Sequence, residues 1–237
     1  MATYTLVHGA GGDSWYWHRV APLLRERGHE VVTPDLPTGD DAAGWTEYAD
    51  VIEAAIGDRR EVILVAQSMA GFSAPLVCQR RPIDLLVLVA AMVPRPGETG
   101  GDWWEQTGQP QAERALAEQQ GRSSTGEFDP MEMFFHDLPA ELAEAAMARG
   151  RPQSATPFTQ PWPLERWPDT PTRFLLARRD RLFPAEFQRR VVAERLGIVP
   201  DELDAGHLAA LSCPDELVAW LERYRADLAD SGAVTAG

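Results

Sequence analysis

Five short runs of apolar, largely β-branched residues punctuate the 237-residue chain, at Thr3–Val7, 30–34, 61–66, Leu85–Val89 and Thr172–Ala177. Within each run hydrophobicity is continuous rather than alternating, as a strand covered on both faces requires. A sixth, weaker run lies at 200–205. Between the runs apolar residues return at helical spacing: Trp45, Tyr48, Ile52 and Ile56; Phe187, Val191 and Leu196; Leu217, Trp220, Leu221, Tyr224 and Leu228. Strand and helix units in alternation predict an α/β fold, a doubly wound, mostly parallel sheet of about six strands.

One interval breaks the alternation. Residues 94–168 offer no strand candidate, only prolines, aromatics and short helical stretches at 113–120 and 139–147. That is far beyond the ordinary loop of about 4–6 residues. The expectation is a helical cap at 94–168 inserted into a core formed by 1–93 and 169–237, with a frayed tail from about 229.

Composition narrows the chemistry. All 22 basic residues are arginine, so mechanisms that need lysine, such as a Schiff base or a phosphate-loop lysine, are absent. A net charge of −14 argues against nucleic acid as a partner, because phosphate binding needs a positive surface. Cys78 and Cys213 are too few for a disulfide framework, and their flanks lack metal-ligand spacing, so no metal or cofactor is expected. Neither a leader nor an 18-residue apolar run is visible, which predicts a cytoplasmic protein with no membrane partner. A homodimer is compatible with this reading.

The sharpest motif is Ala66-Gln67-Ser68-Met69-Ala70-Gly71, where the 61–66 run meets small residues and a helical stretch. A serine on such a strand-to-helix turn presents its hydroxyl as a nucleophile, and small neighbours relieve the crowded backbone. Ala66 and Ala70 stand where the G-x-S-x-G pattern has glycine, so a plain helix N-cap is an equal reading of the string alone. Pro75 implies that the following helix starts late or is kinked.

Three further segments bear on the choice. His8-Gly9-Ala10-Gly11-Gly12 follows the first run, and its Ala10 N–H, with that of Met69, could bind the oxyanion of an acyl-transfer intermediate. His8 itself reads as a loop-fixing residue. His207, in Ala205-Gly206-His207-Leu208, follows the last run and is the candidate base; the alternative is a surface loop histidine. Asp180, just past the fifth run, is the candidate orienting acid; its arginine neighbours allow a solvated ion-pair loop instead. The chain order Ser68, Asp180, His207 is that of neither chymotrypsin nor subtilisin.

With these residues in view, the chain resembles the α/β-hydrolase superfamily. Within it, the similarity is to the small-esterase branch of plant methyl esterases, hydroxynitrile lyases and bacterial α/β-fold hydrolases. Leu6-Val7-His8-Gly9-Ala10, Trp15-Tyr16-Trp17, Gly28-His29-Glu30-Val31, Pro34-Asp35-Leu36-Pro37, the Ser68 turn, Asp180 with Phe183-Pro184-Ala185-Glu186-Phe187-Gln188, and Gly206-His207 carry the resemblance. It covers nearly the whole core and is weaker in the cap. It implies cofactor-free hydrolysis of a small-molecule carboxylic ester through an acyl-enzyme. Lyases of this branch carry lysine after the histidine and a hydroxyl residue after the first His-Gly; Leu208 and Ala10 stand there, which favours ester hydrolysis. Gln67 departs from the histidine common in relatives.

Trp103, Trp104, Met131, Phe134, Phe135 and Trp162 of the cap, with Leu208, are candidates for an apolar substrate pocket; the alternative is that the cap aromatics only anchor it to the core. Small neutral or aromatic esters are the expected substrates. Fold alone does not decide function. A natural-product tailoring enzyme acting on lactones or thioesters, or a ligand-binding member without turnover, would share these residues.

Overall fold

The computed structural model describes residues 1–122 and 128–234, with side chains to residue 230. Six strands, β1 (Thr3–Val7), β2 (Glu30–Val32), β3 (Val62–Gln67), β4 (Leu85–Val89), β5 (Thr172–Ala177) and β6 (Asp201–Leu203), form one sheet in the order β2-β1-β3-β4-β5-β6. Every pairing is parallel. The helices of the core are α1 (Val20–Glu26), α2 (Trp45–Ile56) and α3 (Ala70–Arg80). Between β4 and β5 come α4 (Gly100–Thr107), α5 (Gln109–Gln119), α6 (Pro130–Phe134), α7 (Ala140–Met147) and α8 (Thr156–Thr159), with no strand among the described residues. The chain closes with α9 (Ala185–Leu196), α10 (Ala209–Ser212) and α11 (Pro214–Val234).

Side chains of a strand alternate between faces, so a continuous apolar run must have a partner layer on each side. Leu64, Leu86, Leu88 and Phe174 pack with Trp45, Ile52, Phe72 and Val191, from α2, α3 and α9. Their strand neighbours Ile63, Val65, Val87 and Leu175 pack with Val20, Leu24, Leu217 and Leu221, from α1 and α11. From β1 the chain steps outward to β2, returns past β1 to β3 and continues to β6. The direction of winding therefore reverses between β1 and β3, and the crevice beyond the strand ends at such a reversal is where open α/β sheets bind ligands.

Two expectations are corrected. Of the two alternatives for the helix after Ser68, a late start is excluded: α3 begins at Ala70 and keeps Pro75 inside it. Proline there removes one N–H donor, and the burial of Phe72, Leu76 and Val77 on the same helix offsets that loss. The tail is helical as far as Val234, since Leu217, Leu221 and Tyr224 anchor α11 to the sheet; residues 235–237 lie outside the described part.

Candidate active site

Ser68 follows β3 and has φ 53°, a left-handed conformation that L-residues other than glycine seldom adopt. Its neighbours hold it there. The Ser68 N–H donates to the Val89 carbonyl at 3.3 Å, and the Ser68 carbonyl accepts from Gly71 at 3.1 Å and Met92 at 2.9 Å. Close packing accounts for the small residues. A Cβ on Gly71 would stand 1.9 Å from the Met92 carbonyl oxygen, and one on Gly9 would stand 2.8 Å from the Ser68 Cβ. The close approaches fall at Gly71 and Gly9, and the two positions that depart from G-x-S-x-G, Ala66 and Ala70, hold their methyl groups fully buried.

His207 lies on the loop between β6 and α10. Its Nε2 is 3.0 Å from the Ser68 Oγ, and its Nδ1 is 2.7 Å from the Asp180 Oδ2. Asp180, three residues beyond β5, is 1% exposed, and its Oδ1 accepts the N–H groups of Leu182 and Phe183 at 2.8 and 2.9 Å. A carboxylate occupied in this way directs one oxygen at the imidazole, so Nδ1 carries the proton and Nε2 is the acceptor facing Ser68. The flanking arginines turn outward: Arg178 and Arg179 pair with Asp204, and Arg181 donates to the Glu132 carbonyl. The imidazole is walled by Phe134 and Phe183, ring centres 5.5 and 5.1 Å away.

His8 has both ring nitrogens engaged within the core. Nδ1 donates to the Gly9 carbonyl at 2.8 Å, and Nε2 accepts the Leu36 N–H at 3.1 Å. Burial holds its pKa below the usual histidine range. It ties the glycine-rich turn to the segment after β2. Ala10 on that turn and Met69 beside the serine both border the cavity in front of Ser68, and among the described residues neither backbone N–H has a protein acceptor.

The cavity measures about 540 Å³ and reaches from Ser68 and His207 to the segment between β4 and β5. Of the pocket candidates, Trp104, Phe134, Phe135 and Leu208 line it. Trp103, Met131 and Trp162 do not. The Trp103 indole N–H donates to the Val93 carbonyl and its ring packs on Phe183 and Phe187; that of Trp162 donates to the Phe72 carbonyl. Both are core anchors, 1% exposed, while Met131 points outward from α6. Consecutive helical residues diverge by about 100°, so Trp103 and Trp104 face different surroundings.

A model of the alpha/beta hydrolase family matches residues 6–220. The chain belongs to the alpha/beta hydrolase family. Among its relatives, norfluorocurarine synthase 1 of a Strychnos species is 25% identical, covering 90% of this chain and 91% of that protein. Polyneuridine aldehyde esterase of Rauvolfia serpentina is 26% identical over 90% and 92%, and its crystal structure superposes with a TM-score of 0.75 at 22% identity, covering 94% of this chain and 99% of that one. The pyrethroid hydrolase of Sphingobium wenxiniae is 29% identical over 96% and 88%.

Sequence reasoning missed several residues of this hydrolase's cavity. Met92 and Leu182 line it a few residues past β4 and β5, a strand-end placement that was available as a signal. Tyr16 and Phe183 line it from segments that carry the family resemblance. Phe158, one of the aromatics concentrated in residues 94–168, lines it too, whereas Arg149 carries no local signal. Gln67 donates through Nε2 to the His207 carbonyl at 3.2 Å, which gives that departure a structural role. Among the described residues no cluster of histidine, cysteine or acidic side chains could hold a metal, and no helix is long and apolar enough to cross a membrane. Cys78 and Cys213 are free, and burial pushes the Cys78 thiol up to about 12.

Proposed function

We propose that the protein is a serine carboxylesterase in which Ser68, His207 and Asp180 form the catalytic triad, with residues 94–168 as the lid over its substrate. The observation that carries this reading is the continuous hydrogen-bond chain from the Ser68 Oγ through His207 to buried Asp180 on the wall of an apolar cavity. His207 Nε2 accepts the Ser68 proton as Oγ attacks the ester carbonyl. Asp180 keeps the imidazole in the Nδ1–H tautomer and offsets its charge. The Ala10 and Met69 N–H groups receive the oxyanion. His207 then protonates the leaving alcohol, and a water deprotonated by the same nitrogen releases the acid and restores Ser68.

Substrate class follows from the walls. A cavity of this volume suits a small molecule, and Trp104, Phe134, Phe135 and Leu208 favour small neutral or aromatic esters. Two free cysteines fit a reducing compartment, which supports the cytoplasm.

The test pairs a fluorophosphonate probe with a panel of p-nitrophenyl esters, including neutral and carboxylate-bearing esters of matched size. The probe is expected to label Ser68, and Ser68→Ala to lower kcat by roughly 10⁴- to 10⁶-fold. An unlabelled Ser68 in folded protein overturns the mechanism, and faster turnover of the anionic set overturns the substrate class. The similarity to a protein named as a synthase supports a second reading, a tailoring enzyme that relies on His207 and Asp180. Turnover surviving in Ser68→Ala would select it.

A further inference from the structure

The His207 loop is gripped by a side chain from the cap. Asp137 lies between α6 and α7, its side chain is 1% exposed, and its Oδ2 accepts the Gly206 N–H at 2.6 Å. Gly206 immediately precedes His207, and the fit is tight enough that a Cβ on Gly206 would stand 2.7 Å from the Asp137 Oδ1. The His207 carbonyl in turn accepts the Gln67 side-chain amide at 3.2 Å. The His207 loop is thus held at two points, the Gly206 N–H by the cap and the His207 carbonyl by the residue before Ser68.

Stability does not account for this carboxylate. Its Oδ1 is buried without a hydrogen-bond partner, and its nearest cation, Arg179, is 3.9 Å away, half-exposed and shared with Asp204. A buried charge compensated so thinly opposes folding. What it supplies is an acceptor oxygen for the Gly206 N–H, a short bond that fixes the loop just before His207.

We propose that Asp137 is a positioning residue: through Gly206 it sets the height of His207, so that Nε2 meets Ser68 while Nδ1 meets Asp180. The inference rests on the triad reading given above.

The experiment compares full-length wild type, Asp137→Ala and Asp137→Asn for hydrolysis of p-nitrophenyl butyrate, fluorophosphonate labelling of Ser68, and the low-field Nδ1–H proton resonance of His207. Asparagine keeps an acceptor oxygen for Gly206; alanine has none. Asp137→Ala is expected to lose kcat by about 10²-fold, the scale of a 1 Å misplacement, with KM little changed. Labelling should slow in parallel and the His207 resonance should broaden or move. Asp137→Asn should restore all three towards wild type. Wild-type kcat and an unchanged resonance in Asp137→Ala overturn the proposal, as does a loss that asparagine fails to rescue. Should the alanine variant not fold, Gly206→Ala carries the test by driving a methyl group into the carboxylate: lost kcat at constant KM supports positioning, and unchanged kcat overturns it. A wild type that the probe does not label removes the triad reading and this inference together. A labelled wild type with an equally labelled, folded Asp137→Ala removes this inference alone.

Discussion

Ser68 carries backbone strain that its surroundings impose. A non-glycine residue with positive φ costs of order 1–3 kcal/mol, and the bonds to Val89, Gly71 and Met92 keep it in place. Glycine adopts this conformation freely, with a penalty of about 0.5–1 kcal/mol in chain entropy against alanine. Ser68→Gly is therefore expected to be more stable than Ser68→Ala by about 1 kcal/mol, read as a higher urea midpoint with unchanged slope. Equal midpoints would mean that the turn is relaxed. The serine string alone left nucleophile and helix cap level, because an N-cap is also a hydroxyl residue ahead of a helix. In the structure the residue at the cap of α3 is Met69, while Ser68 has a left-handed backbone and its hydroxyl lies 3.0 Å from the His207 ring. At Asp180 the arginine-rich flank allows a solvated ion-pair loop as the alternative to an orienting acid; in the structure Arg178 and Arg179 pair with Asp204, and Asp180 meets two backbone N–H groups and His207.

Among the elements, the segment between β4 and β5 was legible in outline and opaque in orientation. Thr99 with Asp102 caps α4 reciprocally and Asp129 caps α6, patterns visible in a single sequence. Which face of each short helix meets the cavity depends on how the segment docks. One part of that docking is a buried ion pair: Arg195 of α9 meets Glu98 just before α4, at 2.5 and 2.9 Å, both side chains 2% exposed, with a further bond from Arg195 to the Val93 carbonyl. Removing one partner strands the other charge, so Glu98→Ala is expected to lower the unfolding free energy by about 3–5 kcal/mol. Replacing both residues by apolar ones should recover much of it. Chemical denaturation of the three proteins checks this, and an additive double variant would show that the two side chains act independently. Further along, the Gly11 N–H donates to Gln153 Oε1 and the Arg151 N–H donates to the Gly11 carbonyl, so the same segment fastens the turn that bears Ala10.

For the molecule as a whole, acid is expected to destabilise in two stages. Burial holds His8 and His136 below their ordinary value of 6.5, so the unfolded chain binds protons there that the folded chain refuses. Their contribution is complete above pH 6.5 and is lost as pH falls from that point. Asp35 and Glu222 are lowered despite burial, by hydrogen bonds from Ser14 and from Tyr4 and His29, and so add a second loss that begins only near pH 4.5 and below. Acidification also relieves repulsion within a chain of net charge −14, but at 0.15 M salt that field is screened beyond about 8 Å, so the local histidine effect dominates. The melting temperature should be level from pH 8 to 7 and fall between pH 6.5 and 5.5. A rise over that interval would mean that charge repulsion outweighs the two histidines.

Taken alone, the sequence determined the order of chemical groups along the chain and the strand ends on which they sit. A run buried on both faces has a composition that little else requires, and parallel strands bring all their C-terminal ends to one edge. Ser68, Asp180 and His207 follow strands and so share that edge however the segment between β4 and β5 packs. Tertiary packing alone decided how the segment between β4 and β5 meets it, with Trp104 inward, Trp103 and Trp162 as anchors and Asp137 on a peptide 69 residues away, and it also decided that Pro75 stays inside α3. Helical spacing assigns an apolar face, but its partner is chosen by the fit of whole surfaces. A contact between distant residues leaves no local pattern to read.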